Sequence, residues 1–336
     1  MNKHILIAGA GLSGAVIARE LAEKNFKVSL FEKNDHIAGQ CHTVRDAQTG
    51  IMLHSYGPHI FHTEIPEVWE YVNRYASFKP FINRVKAVYQ NRVYSLPVNL
   101  HTINQIFSRS FSPREAAEYI NQIKTVYDHE PLNFEEQALS LMGEELYKAF
   151  FRGYTIKQWG RNPVNLPASI LKRLPFSFNY NDNYFNHKYQ GIPELGYTAM
   201  CEAMLDHPNI SLILKRAFTI NDERDFHHVF YTGPIDQYFS YKFGRLQYRT
   251  LDFEKFYPDE TLDGDYQGCA VMNYCDESVP FTRITEHKHF TPWETHKKTV
   301  CYREYSRECG ETDTPYYPVR LTDRQEILDR YLAAAT

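Results

Sequence analysis

Over the first 32 residues the apolar positions fall into three blocks. Residues 4–8 (His-Ile-Leu-Ile-Ala) and 27–31 (Lys-Val-Ser-Leu-Phe) are short apolar runs of strand type, and residues 15–24 between them read as an amphipathic helix. A second change of pattern comes at 81–97. Two strand-like runs, 81–89 and 93–97, flank Gln90-Asn91-Arg92 and predict an antiparallel hairpin. Helical spacing then dominates from about 100 to 160. Ser112-Pro113-Arg114-Glu115 opens one helix with proline early and glutamate in the first turn, and 135–142 and 144–152 carry further helical segments. Asn162-Pro163, Leu166-Pro167 and Leu174-Pro175 interrupt the pattern and predict a mobile loop.

Past that loop, 196–205 reads as a helix and 211–214 and 229–232 as strands. Residues 245–310 alternate short strands with turns. Thr322-Asp323-Arg324-Gln325 has the form of a capping box, opening a last helix over 324–334. The layout is an α/β fold, a Rossmann-like domain with an inserted helical bundle and an antiparallel β-sheet domain; an interruption of this kind is common in FAD-binding domains whose substrate domain is built from insertions and uncommon in simple NAD dehydrogenases. The expected boundaries are 1–78 plus 192–240 plus 318–336 for the FAD-binding domain and 79–98 plus 241–317 for the sheet. Residues 99–191 form the helical domain, with a lid loop near 165–177.

Composition narrows the function classes. With 37 basic against 41 acidic side chains in 336 residues, the net charge of −4 leaves no nucleic-acid footprint. Six cysteines without C-x-x-C spacing argue against a zinc site or a disulfide framework and fit a reducing compartment. The basic start and apolar run of residues 1–18 imitate a signal peptide, but glycines at fingerprint spacing interrupt the run and a second strand follows. The reading is a cytoplasmic protein with no membrane span.

Gly9-Ala10-Gly11-Leu12-Ser13-Gly14 follows the first strand and opens the first helix, and Glu32 stands 18 positions past Gly14 at the end of the second strand. Gly9 permits the tight turn, Gly11 lets backbone approach a pyrophosphate, and Gly14 lets the helix lie close on the strand. Glu32 would accept hydrogen bonds from a ribose and disfavours a 2′-phosphate, pointing to FAD or NAD. Three other segments carry chemistry. His59 and His62 lie on an extended Gly57-Pro58 backbone that suits a cofactor-facing pair better than a metal site. Phe150, Tyr154, Thr155 and Trp159 make an aromatic face suited either to core or to stacking a base. Lys172-Arg173 reads as a solvated pair or as an arm closing on an anion.

These stretches, with Tyr189-Gln190-Gly191-Ile192-Pro193, Tyr231 to Asp236 and Arg283 to Phe290, closely resemble bacterial UDP-galactopyranose mutases from the first residues to about Arg320. The resemblance implies an FAD-dependent isomerase that interconverts UDP-galactopyranose and UDP-galactofuranose through attack of reduced flavin N5 on the anomeric carbon. It places Phe150, Tyr154, Thr155 and Trp159 around the uridine and sugar, with Asn83 and Asn273 as polar substrate contacts. Arg173, Arg283, Tyr184 and Tyr317 fall on diphosphate contacts, and His62 beside the flavin ring. Gly9, Gly11, Ser13, Gly14, Glu32, Gln40, His59, Ile60, Ala217 and Phe218 fall on FAD contacts. Gln40 stands in place of an asparagine and Ala38 in place of a glycine. The family continues past the last helix with a segment closing over the flavin, whereas this chain ends at Thr336. The expectation is therefore a fragment or a truncation that holds FAD weakly. The substrate is the UDP-sugar pair, no metal is expected, and a homodimer is left open. Two rival readings remain: an amine-oxidase-type FAD oxidoreductase, or an inactive nucleotide-binding remnant.

Overall fold

The computed structural model describes residues 3–173, 176–319 and 325–335, with the side chains of Lys172 and Arg173 outside the description. The first strand, His4–Ala8, lies in the interior of a four-stranded parallel sheet. In order across that sheet come Ile210–Ile213, Lys27–Phe31, His4–Ala8 and His228–Tyr231. Leu12–Glu23 covers it with a face of small residues, Ala15, Ala18 and Ala22, all buried. Those alanines let the helix sit close, and Tyr197, Met200, Cys201 and Met204 of helix Gly196–Leu205 pack into the same core. The predicted helix over 196–205 and the strands near 211 and 229 are observed within one residue.

The hairpin is also observed, as Val85–Tyr89 and Arg92–Leu96. Gln90 and Asn91 at its turn both hold positive φ, 49° and 57°, the backbone of a type I′ turn. It is the edge of a seven-stranded sheet ordered Tyr317–Pro318, Tyr248–Phe256, Cys301–Glu308, Arg283–Glu286, Val271–Tyr274, Val85–Tyr89 and Arg92–Leu96. All pairings are antiparallel except that of 271–274 with 85–89. Here the expectation of short strands is corrected: 248–256 and 301–308 run for nine and eight residues and pair along their whole length.

Between the two sheets' segments in the chain comes the helical part. The capping box at Ser112 and Glu115 is present on helix Pro113–Ile123. Phe134–Leu146 breaks at Gly143 (φ 79°, ψ 174°), where the sequence divides its two helical segments. The second segment is not an α-helix. Tyr147–Arg152 winds as a π-helix and passes into the α-helix Gly153–Trp159. The breaker-rich stretch forms 3₁₀ turns at Pro163–Asn165 and Ala168–Arg173, with Leu166 and Leu171 buried in the helical core. The last helix is Gln325–Ala335; the capping-box residues 322–324 lie outside the described residues. Among the described residues, no helix is long and apolar enough to cross a membrane.

Candidate functional site

Two hollows divide the predicted residues. The first is a crevice of about 520 Å³ at the carboxyl ends of the parallel strands, the place where such sheets bind ligands. Gly9, Gly11, Ser13, Glu32, Gln40, Ala217 and Phe218 all line it. Gly9 holds φ +106°, and a Cβ there would sit 2.3 Å from Thr232 Oγ1. Gly14 does not line the crevice. Its place is the helix–strand contact, where a Cβ would meet Gly9 O at 1.9 Å. The helix beginning at Leu12 has Gly11 as N-cap with no side chain capping it, so its first N–H groups are left for a ligand. Glu32 is buried, and its carboxylate accepts the N–H groups of Ala10 and Asn34, each at 2.8 Å. Each carboxylate oxygen keeps a second lone pair for a ribose hydroxyl. Glycine backbone, open helix terminus and acid together fit a dinucleotide. Ala38, which stands where the resemblance puts a glycine, is buried at φ +71° in the left-handed region that favours glycine.

The second hollow, about 460 Å³, lies between the hairpin, the 134–170 segments and strands 271–274 and 283–286. His59, Ile60, His62, Asn83, Phe150, Tyr154, Thr155, Trp159, Tyr184, Asn273 and Arg283 line it. His59 and Ile60, expected against the cofactor, thus face this cavity and not the glycine crevice. Burial lowers the pKa of His59, whose Nδ1–H donates to Gly57 O at 2.9 Å and leaves Nε2 as an acceptor. Burial and the neighbouring His187, with Nδ1 atoms 2.6 Å apart, also hold the His62 pKa down. The side-chain oxygens of Asn83 and Asn273 are buried without a hydrogen-bond partner among the described residues. Two orphaned acceptors in one cavity are costly unless a ligand's donors meet them.

Arg283 is the one arginine among the residues lining this cavity. Its Nη2 donates to the Tyr154 hydroxyl at 2.7 Å, and Nε lies 3.1 Å from Glu304, which is only 2 % exposed. Burial acts to lower the Arg283 pKa, but the Glu304 carboxylate outweighs it and the pKa stands above its ordinary value. The guanidinium therefore stays charged. Tyr317 pairs with Arg249 at the edge of the long sheet, its ring 6.5 Å from that of Trp159, and it lies within electrostatic reach of Arg283 and Tyr184, though it is not among the residues lining the cavity. The side chain of Arg173, predicted to reach the diphosphate, lies outside the described residues.

Several residues absent from the sequence reading complete the cavity: Phe151, Phe185, Phe134 and Ile170 as walls, and Glu304 behind Arg283. Phe151 had no signal. It lines the cavity beside Phe150 from the π-helix Tyr147–Arg152.

The family model described as UDP-galactopyranose mutase matches residues 149–336, and that of an NAD(P)-binding Rossmann-like domain matches 7–75. A probable UDP-galactopyranose mutase of Klebsiella pneumoniae is 59 % identical over 99 % of this chain and 86 % of its own length. A dTDP-fucopyranose mutase of Escherichia coli is 53 % identical over 98 % of this chain and 88 % of its own. A crystal structure of reduced UDP-galactopyranose mutase shares the fold, with a TM-score of 0.72 at 16 % identity over 99 % of this chain and 88 % of that one. The chain belongs to the UDP-galactopyranose mutase family.

Proposed function

We propose that the protein interconverts UDP-galactopyranose and UDP-galactofuranose in the cytoplasm, with FAD held in the glycine crevice and the nucleotide sugar in the aromatic cavity. The observation that carries this reading is Arg283: a charged, half-buried guanidinium bonded to Tyr154 in a cavity that it shares with Thr155, Trp159 and two amide oxygens without a partner among the described residues. Such a cavity suits a ligand with a flat base, hydroxyls and a diphosphate. An amine-oxidase-type site gives this arginine nothing to bind. The segments 1–78, 192–240 and 318–336 are assigned to cofactor binding, and the long sheet with the helical segment to the substrate.

Reduced flavin, when bound, supplies the nucleophile at the anomeric carbon. The protein's part is placement and electrostatics. Arg283 faces the leaving diphosphate and offsets the charge that grows there, with Tyr184 and Arg173 assigned to the same group. Phe150, Phe151 and Trp159 hold the base and sugar and keep water from the reacting carbon. Asn83 Oδ1 and Asn273 Oδ1 accept hydrogen bonds from ligand hydroxyls, and His59 Nε2 and His62 face the reacting end as neutral imidazoles.

A second reading has its own observation. The identity to the dTDP-fucopyranose mutase, 53 %, is close to that to the UDP-galactopyranose mutase. The test supplies each nucleotide sugar to chemically reduced holoenzyme and separates pyranose from furanose by chromatography. Furanose from UDP-galactose supports the first reading. Turnover confined to dTDP-fucose replaces it with the second, and no furanose from either sinks both.

A further inference from the structure

Lys157 lies on the helix that carries Tyr154, Thr155 and Trp159, but it is not among the residues lining the cavity. Its Nζ donates to four backbone carbonyls: Tyr274 O at 2.6 Å, Asp276 O at 2.9 Å, and Val279 O and Phe281 O at 3.0 Å. An ammonium has three N–H bonds, so four acceptors at these distances surround the cation as a coordination shell. The carbonyls belong to the connection between strand Val271–Tyr274, which carries Asn273, and strand Arg283–Glu286, which begins with Arg283. The loop is wrapped around the lysine's charge. Burial lowers the Lys157 pKa to about 8, so the ammonium is retained at neutral pH.

Two neighbouring contacts hold the same helix to the same loop. A Cβ on Gly153 would sit 2.3 Å from Cys275 O, and Arg152 pairs with Glu277. On the cavity side the connection is Arg283 to the Tyr154 hydroxyl. We propose that Lys157 is a positioning residue for nucleotide recognition: its ammonium, caged by the loop carbonyls, sets Asn273 and Arg283 in register with the aromatic face of the helix. The inference rests on the proposed function for the identity of the ligand, but the cage itself does not.

The test compares wild-type holoenzyme with Lys157→Met, which keeps the side chain's bulk and removes its charge. If Lys157→Met does not fold, Lys157→Gln takes its place with the same expected results. In the first arm, amide hydrogen exchange of residues 275–282 is expected to quicken at least tenfold while that of residues 4–8 is unchanged. Unchanged exchange in the loop overturns the cage. In the second arm, calorimetric titration with UDP is expected to show at least tenfold weaker binding, and turnover a raised KM with kcat altered less than threefold; flavin content is expected to be as in wild type. A loosened loop with unaltered UDP affinity overturns the positioning role. In the third arm, Arg283→Lys is made with and without Lys157→Met. If Lys157 acts through Arg283, the two losses of UDP affinity fall well short of multiplying; full multiplication overturns that route. Failure of the wild type to bind UDP or dTDP counts against the proposed function, and loop exchange still decides the cage.

Discussion

The crevice and the cavity are built on different principles. The crevice is a backbone device: Gly9 at φ +106°, an uncapped helix terminus and one acidic side chain, all within the first 32 residues. The cavity is a side-chain device assembled from segments far apart in the chain, near residues 59, 83, 150, 184, 273 and 283. A backbone device depends on atoms that every residue has, so its weak point is the addition of an atom. A side-chain device depends on partners, so its weak point is the loss of one.

Arg283→Met should show the cavity's weakness most strongly. It leaves Glu304 buried without its cation, at a cost of about 3–5 kcal/mol in stability, together with at least a hundredfold loss of kcat/KM. The double variant Arg283→Met/Glu304→Gln should recover most of the stability and none of the activity, measured by denaturant unfolding and steady-state turnover. Recovery of activity as well would remove Arg283 from the chemistry.

Gly14→Ala tests the crevice. Alanine is the better helix former by about 1 kcal/mol, yet its Cβ would lie 1.9 Å from Gly9 O. The clash should win, with a net loss of about 2–3 kcal/mol and poor flavin retention at unaltered UDP affinity. Equal loss of UDP binding would mean that the two hollows are not separable.

Ala38→Gly is the smallest effect and has the opposite sign. The left-handed backbone costs alanine about 1–2 kcal/mol, and glycine's greater freedom in the unfolded chain returns about 0.4–1 kcal/mol of that. The net expectation is a gain near 0.5 kcal/mol, read as a slightly raised Tm. A fall in Tm would show that Ala38 is unstrained and that the glycine pattern of the crevice tolerates this methyl group.

The same contrast accounts for what the sequence made legible. Gly9, Gly11, Gly14 and Glu32 could be placed from spacing because the interactions that use them are local. The hairpin turn at Gln90-Asn91 and the helix start at Ser112-Pro113-Arg114-Glu115 were legible for the same reason. Asn83, Asn273 and Arg283 could be placed only by resemblance, since nothing near them in the chain marks them as neighbours. Glu304 and Lys157 went unread because their roles lie in what they hold across the long sheet. The full pairing of 248–256 with 301–308 was invisible to a pattern divided by turns.

The strand order has a consequence for how the chain comes together during synthesis. Strand 4–8 takes one of its neighbours from residues 228–231, and the early hairpin takes its parallel neighbour from residues 271–274. Each sheet begins near the amino terminus and is closed by a segment made much later. Until then the sheet-forming edges of 4–8 and 85–89 have no native partner and are open to pairing with another nascent chain. Contacts so distant along the polypeptide slow folding and lengthen that exposure. The chain's demand on molecular chaperones should therefore be greatest midway through translation, once the hairpin has emerged and before residue 271 has left the ribosome.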